Sequence, residues 1–269
     1  MSRHVQGADL ISDLWSVPSV SQAGVYSGVH HDRMWYWDCI DTTLSHASHV
    51  SALCGDNERL WIRAGRQTNG QGQRGKSFTA LHGGLYMTLV MLWPAHQACH
   101  LLSLVAALAV VDVMPIDVRI KWINDVYYGR EKIAGVLTHV VHHTNDTVEV
   151  WISIGMNVNT DVQCLHSAGV QATSLAAVCG HSFDIESLFQ RIRTSLDMRL
   201  QQYCFSAPDL WSDLYSCLWG WGQSVCVTTD RQDQYTGCWT GIDSTTGQVI
   251  LDGQHYYDAQ RIWPTTLDA

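Results

Sequence analysis

Charge is scarce in this sequence, and basic charge scarcer still. Of 269 residues only 15% are charged, with 16 Lys and Arg against 25 Asp and Glu, a formal net charge of −9. That balance argues against a surface neutralising many nucleic-acid phosphates and leaves room for a local basic loop. The nine cysteines form no Cys-x-x-Cys pair, and their number is odd, so neither a disulfide framework nor a zinc knuckle is supported. The 14 histidines show no metal-ligand spacing, and His30-His31 and His142-His143 read as surface or core residues. The opening Met-Ser-Arg-His, with Asp9 and Asp13 soon after, has neither an apolar signal core nor the acid-poor character of a transit peptide. A reducing cytoplasm is the expected compartment, where the Asn145-Asp146-Thr147 acceptor pattern carries no glycan.

Between Ser77 and Val111 there is no Asp, Glu, Lys or Arg, which raises the question of a membrane span of about 20 residues. Gly83-Gly84, Pro94 and three histidines interrupt it, so it divides into a strand over Leu85–Leu92 and a helix over His96–Val111, both buried. No membrane association is expected. With 46% hydrophobic residues the chain can bury a large core.

Beyond Pro115, the apolar runs Val118–Ile120, Ile133–Val141 and Val148–Ile154 read as strands of one sheet. Asp184–Tyr203 carries Ile185, Leu188, Phe189, Ile192, Leu196 and Leu200 near helical spacing, an amphipathic helix packed on that sheet. A composition shift at Gly220-Trp221-Gly222 opens a tail of Val225, Val227, Trp239, Ile242, Val249, Ile250 and Leu251 punctuated by glycines. That pattern suggests a small all-β module of about 50 residues. The first thirty residues are too irregular to assign.

Two constellations carry chemistry. Gly70-Gln71-Gly72-Gln73-Arg74-Gly75-Lys76-Ser77 satisfies the P-loop pattern G-x-x-x-x-G-K-[ST]. A P-loop must pass from a strand into a helix whose N-terminus meets the phosphates, whereas Phe78-Thr79-Ala80-Leu81-His82-Gly83-Gly84 is a poor helix start. The other functional reading is a flexible loop whose backbone N–H groups, with Arg74 and Lys76, surround an anion; the bland one is a mobile surface loop. In Lys121-Trp122-Ile123-Asn124-Asp125, a lysine at a strand end could meet a phosphate or carboxylate, and Asp125 a magnesium ion. Alternatively this is a solvated turn with Asx-type hydrogen bonds.

Taken in order, Ile40-Asp41-Thr42-Thr43, Gln67 to Lys76, Gly83-Gly84-Leu85-Tyr86, Lys121 to Val126, Lys132-Ile133-Ala134-Gly135-Val136-Leu137, Ile154-Gly155-Met156-Asn157-Val158-Asn159 and Ala172-Thr173-Ser174-Leu175 resemble the segments of the biotin protein ligases. The resemblance implies an α+β fold: a central mixed β-sheet flanked by helices over 1–219, and a C-terminal SH3-like β module over 220–269. It also implies a two-step reaction. ATP and biotin give biotinyl-5′-AMP and pyrophosphate, and the acyl group then passes to a lysine of a carboxylase's biotin-carrier domain.

Two anions, the biotin carboxylate and the α-phosphate, must be held together against repulsion, so cations must line the site. The resemblance puts Lys121 between them, with Arg74 and Lys76 on phosphates. It places Thr42, Thr43 and Gln67 at the neutral ureido ring, and Gly70, Gln71, Gly72 and Gln73 in a loop that orders over biotin and excludes water. Asn124, Asp125, Lys132 and Asn157 fall where the family handles the nucleotide, Asp125 being a candidate for Mg²⁺.

The sequence departs from the family in its loop, where Gln71 and Gln73 replace two arginines of the usual Gly-Arg-Gly-Arg-Arg-Gly. Ile123 also stands for a usual proline, and Leu44 for an Asn. About 35 residues precede the similar region, too few for the helix-turn-helix domain of repressor members, so a ligase without operator binding is expected. Two other readings are a lipoate or octanoate ligase or transferase and a non-catalytic biotin-binding paralogue. No cysteine matches the transferases' nucleophile, and retention of Lys121, Asn124, Asp125, Arg74 and Asn157 argues against the paralogue. Exposed sheet edges could pair two copies into a homodimer.

Overall fold

The computed structural model describes residues 31–55, 58–142 and 146–265; the readings made for His30, His143 and Asn145 lie outside them. Seven strands form the central sheet: β1 (His31–Trp37), β2 (Glu58–Ala64), β3 (Leu85–Pro94), β4 (Arg119–Lys121), β5 (Asp125–Tyr128), β6 (Glu131–His142) and β7 (Thr147–Met156). Their spatial order is β1-β2-β3-β7-β6-β5-β4. β1 runs parallel to β2 and the other neighbours are antiparallel, so the sheet is mixed.

Helices cover both faces, and β2 shows why. Successive side chains of a strand point to opposite sides. Leu60 and Ile62 pack with Ala47 and Val50 of α1 (Thr43–Val50), while Trp61 meets Phe189 edge-on at 5.7 Å on the other side. Phe189 belongs to α5 (Ile185–Cys204), whose start is fixed by Asp184: its Oδ1 accepts from the N–H groups of Glu186 (2.9 Å) and Ser187 (3.3 Å).

Packed against both α5 and the sheet is α2 (Leu102–Val111), buried along its length from Leu102 to Val110. A helix apolar all round belongs in a core, which accounts for the charge-free run. It begins at Leu102 rather than His96. After Pro94 the chain is spent on a turn, in which Ala95 N–H donates to Asp146 O (2.8 Å), Gln97 N–H to Pro94 O (2.9 Å) and Gln97 Nε2 to Cys204 O (3.2 Å).

The short helices α3 (Val162–Ser167) and α4 (Leu175–Cys179) follow β7, and α6 (Pro208–Cys217) follows α5. A second sheet then forms from β8 (Ser224–Thr229), β9 (Gln234–Ile242), β10 (Val249–Leu251), β11 (His255–Tyr257) and β12 (Ala259–Pro264), in the order β11-β10-β9-β8-β12. Val225, Val227, Trp239, Ile242, Val249 and Leu251 are buried in it, whereas Ile250 is half-exposed because it alternates with its neighbours. Trp239 meets Trp122 of the β4–β5 turn edge-on at 5.6 Å, so the second sheet shares the main core. No helix among the described residues is long and apolar enough to cross a membrane.

Candidate active site

A cavity of about 400 Å³ opens where α1, the glycine-rich loop, the β4–β5 hairpin, the first half of β6, the end of β7 and β12 converge. Of the residues singled out in the sequence, it brings together Thr42, Thr43, Gln67, Gln71, Gly72, Gln73, Arg74, Lys76, Lys121, Asn124, Asp125 and Lys132. Gly70 and Asn157 are not in its lining. Gly70 instead shapes the loop: its carbonyl accepts from Phe78 N–H (2.8 Å), and a Cβ there would lie 2.4 Å from Phe78 O.

The loop is not a P-loop in this fold. Gln71 bridges Ser77 antiparallel, and Gly72 N–H donates to Lys76 O (2.7 Å). At its tip is a single 3₁₀ turn, Gln73–Gly75, with Arg74 in the left-handed region (φ 57°). The next regular element is β3, so no helix N-terminus is presented to a phosphate. Arg74 and Lys76 are left exposed on the tip.

One wall is neutral and built on a chain of hydrogen bonds. Gln67 Oε1 accepts from Thr43 N–H (2.6 Å) and Thr43 Oγ1 (3.2 Å); Thr43 Oγ1 accepts from Thr88 Oγ1 (2.9 Å), which lies 2.8 Å from Ser153 Oγ. Thr43 and Thr88 are buried. With Oε1 committed, the Gln67 amide is turned so that Nε2 is the group left to donate to a ligand. Thr42 caps α1, its side chain accepting from Leu44 N–H (3.3 Å).

Facing it is a cationic wall. Arg74, Lys76, Lys121, Lys132 and Arg261 line the cavity against one carboxylate, Asp125. Lys121 ends β4, and burial pushes its ammonium down to about 8; Lys132, Arg261 and Lys76 push the same way, against Asp125. Lys132 Nζ lies 2.6 Å from Asp125 Oδ1. Asn124 Nδ2 donates to Val136 O (2.5 Å), pinning the β4–β5 turn to β6. Tyr127 is pushed up to about 12 by burial and by Asp125. Such a cavity can hold an anion at one side and a neutral hydrogen-bonding group at the other.

Asn157 follows β7. Its N–H donates to Ile133 O (2.9 Å) and its carbonyl accepts from Leu175 N–H (3.0 Å), yet its buried Oδ1 has no donor among the described residues. Sequence reasoning missed Thr88, Tyr127, Ser153, Gln260, Arg261 and Trp263. The alternation of Arg261, Ile262 and Trp263 in β12 was the one signal for the last of these.

Residues 55–159 match the Biotin/lipoate A/B protein ligase family. The chain is 26% identical over 226 residues to a biotin--[acetyl-CoA-carboxylase] ligase of Paracoccus denitrificans, covering 79% of this chain and 92% of that protein. It is 29% identical over 187 residues to the bifunctional ligase/repressor BirA of Bacillus spizizenii, covering 67% of this chain and 57% of the relative. The match thus spans just over half the length of that protein. The solved biotin protein ligase from Aquifex aeolicus in complex with biotin and ATP has the same fold. Its TM-score is 0.67, at 20% identity over 86% of this chain and 97% of the other.

Proposed function

We propose that this chain, whose residues 55–159 match the Biotin/lipoate A/B protein ligase family, is an ATP-dependent biotin protein ligase acting on the biotin-carrier domain of a carboxylase. The observation that carries this reading is the juxtaposition of Lys121 and four further cations with the neutral Thr43–Gln67 wall in one cavity. In this reading residues 1–219 are the catalytic unit and 220–269 the β module.

The neutral wall takes the uncharged ring, with Gln67 Nε2 and Thr42 and Thr43 as hydrogen-bonding groups. Lys121 lies between the carboxylate and the α-phosphate, offsetting their repulsion and the charge that grows on the phosphate in the transition state. A carboxylate oxygen bonds to the α-phosphorus as the bond to the bridging oxygen breaks, and pyrophosphate leaves with the charge. Arg74 and Lys76 hold phosphate oxygens, and Lys132 and Asn124 the nucleotide. The acceptor lysine's amine then attacks the acyl carbon, loses a proton and expels AMP. Gly70, Gln71, Gly72 and Gln73 shape the loop that shields the anhydride from water.

The residues fit a magnesium ion that arrives with the nucleotide. Among the described residues there is no cluster of three or more acidic, His or Cys ligands, which a protein cage would need. Asp125 is the one carboxylate of the cavity lining, in keeping with magnesium's preference for one or two carboxylates plus phosphates, and Asn157, outside that lining, keeps a buried Oδ1 without a donor among the described residues. When bound, the ion would neutralise charge on the leaving pyrophosphate.

Biotin-dependent exchange of labelled pyrophosphate into ATP tests the first step. Exchange with biotin, absent with lipoate or octanoate and lost in Lys121→Ala, is expected; exchange with lipoate or octanoate alone would overturn the substrate assignment.

A further inference from the structure

The last strand of the second sheet reaches the cavity of the first. Along β12, Ile262 is buried in the core while Arg261 and Trp263 line the cavity, as alternation in a strand requires. The strand is fastened there at both ends. The indole Nε1–H of Trp122 donates to Ala259 O (2.8 Å) at its start, and Trp219 meets Trp263 edge-on at 6.0 Å near its end. Trp219 is itself fixed by its N–H to Ile120 O (2.9 Å), one residue before Lys121, and packs on Tyr127 with centroids 5.9 Å apart. Trp263 is therefore located against β4 by contacts that do not involve Lys121.

Lys121 Nζ lies 3.5 Å from the centroid of the Trp263 ring and 5.0 Å from that of Tyr127. A lysine ammonium rides on a flexible four-carbon stem, and an aromatic face attracts it through the negative face of the ring. We propose that Trp263 is a positioning residue for Lys121, its indole face holding the ammonium at the cavity end of β4 so that the second sheet sets where this cation meets a substrate anion.

The charged groups facing Lys121 are Asp125 of β5, Lys132 of β6, Arg261 of β12 and Lys76 of the loop. Only Asp125 favours its charge, and Asp125 is also engaged by Lys132 at 2.6 Å. The indole adds an attraction without adding an anion. A carboxylate in its place would hold the ammonium too but would repel a carboxylate or phosphate ligand. The functional half of this inference rests on the ligase reading; the contact itself does not.

The test uses the full chain as wild type, Trp263→Phe and Trp263→Leu, with lysine side chains ¹³C-labelled and the Lys121 signal assigned by its loss in Lys121→Arg. Without ligand, the Lys121 ε-methylene signal is expected upfield in the wild type and Trp263→Phe, from the ring above it, and at the ordinary lysine position in Trp263→Leu. In biotin-dependent pyrophosphate exchange, Trp263→Leu is expected to lower kcat roughly tenfold with KM for ATP nearly unchanged, and Trp263→Phe to restore most of it. An unshifted Lys121 signal in the wild type, unchanged kcat in Trp263→Leu, or failure of Trp263→Phe to rescue would overturn the proposal. No exchange in the wild type would defeat the ligase reading instead, and the signal contrast would then decide the contact alone.

Discussion

Gln67 takes both hydrogen bonds of its carbonyl oxygen from Thr43, from the N–H at 2.6 Å and the hydroxyl at 3.2 Å. The side-chain amide is thereby fixed as a donor at the neutral wall. Gln67→Glu keeps the acceptor, removes the donor and places a charge there. Its biotin affinity is expected to fall by about 1–3 kcal/mol, with the thermal unfolding midpoint little changed. Calorimetric titration with biotin checks this, and unaltered affinity would remove Gln67 from the binding wall.

Lys121 carries a pH dependence with a defined sign. Its ammonium is pushed down to about 8 by burial and its cationic neighbours, below the ordinary 10.5. It is charged below pH 8 and loses that charge as pH rises through this value, so affinity for biotin's carboxylate is expected to weaken from about pH 8 upward, approaching tenfold per pH unit. Lys121→Arg, which stays charged, should bind with little pH dependence over the same range. For stability the sign is opposite: the folded-state value lies below the unfolded one, so the penalty is full below pH 8 and lifts toward 10.5.

Arg199 joins α5 to the end of α2 and to α6. Its Nε and Nη2 donate to the two carboxylate oxygens of Asp112 (2.8 and 2.7 Å) and Nη1 to Asp213 (2.6 Å). The guanidinium is buried, so Arg199→Ala leaves Asp112 without its fork and is expected to destabilise by about 3 kcal/mol. Urea unfolding measures the loss, and a change under 1 kcal/mol would mean that solvent satisfies Asp112 as well as Arg199 does.

Gln73 lines the cavity at a loop position where the resemblance implies an arginine. A glutamine offers the adenylate phosphate a neutral donor in place of a charged fork. Gln73→Arg is expected to lengthen the lifetime of bound biotinyl-AMP about tenfold, measured as release of labelled adenylate from the enzyme. Equal lifetimes would show that Arg74 and Lys76 already supply the hold.

Much of this was legible from pattern alone. The long strands β6 and β7, the amphipathic α5 and the all-β tail each repeat a hydrophobic period over many residues, and the glycine-rich loop was denied a P-loop role because a strand follows it. What the pattern could not show depends on tertiary neighbours. α2 starts at Leu102 rather than His96 because His96 to Leu101, free of charge and open to a helical reading, are spent on the turn after β3. Arg59 and Arg63 of β2 and Arg193 and Arg199 of α5 are buried, Arg193 pairing with Asp32 at 2.7 Å, and an arginine in a strand or on an amphipathic helix gives no sign of that. Thr88 reads as filler in an apolar strand, yet joins Ser153 to Thr43. Arg261 and Trp263 alternate over only a few residues, and which sheet they face is decided by how Trp122 and Trp219 seat β12.

Whether this cavity activates biotin and passes it to a protein lysine is decided by incubating the chain with ATP, Mg²⁺ and labelled biotin, with and without a biotin-carrier domain. A Lys121→Ala variant runs alongside, and the label is located by mass spectrometry. Label in amide linkage on one carrier lysine, dependent on ATP and lost in Lys121→Ala, is the expected result. Tight biotin binding with no label on the carrier would contradict it.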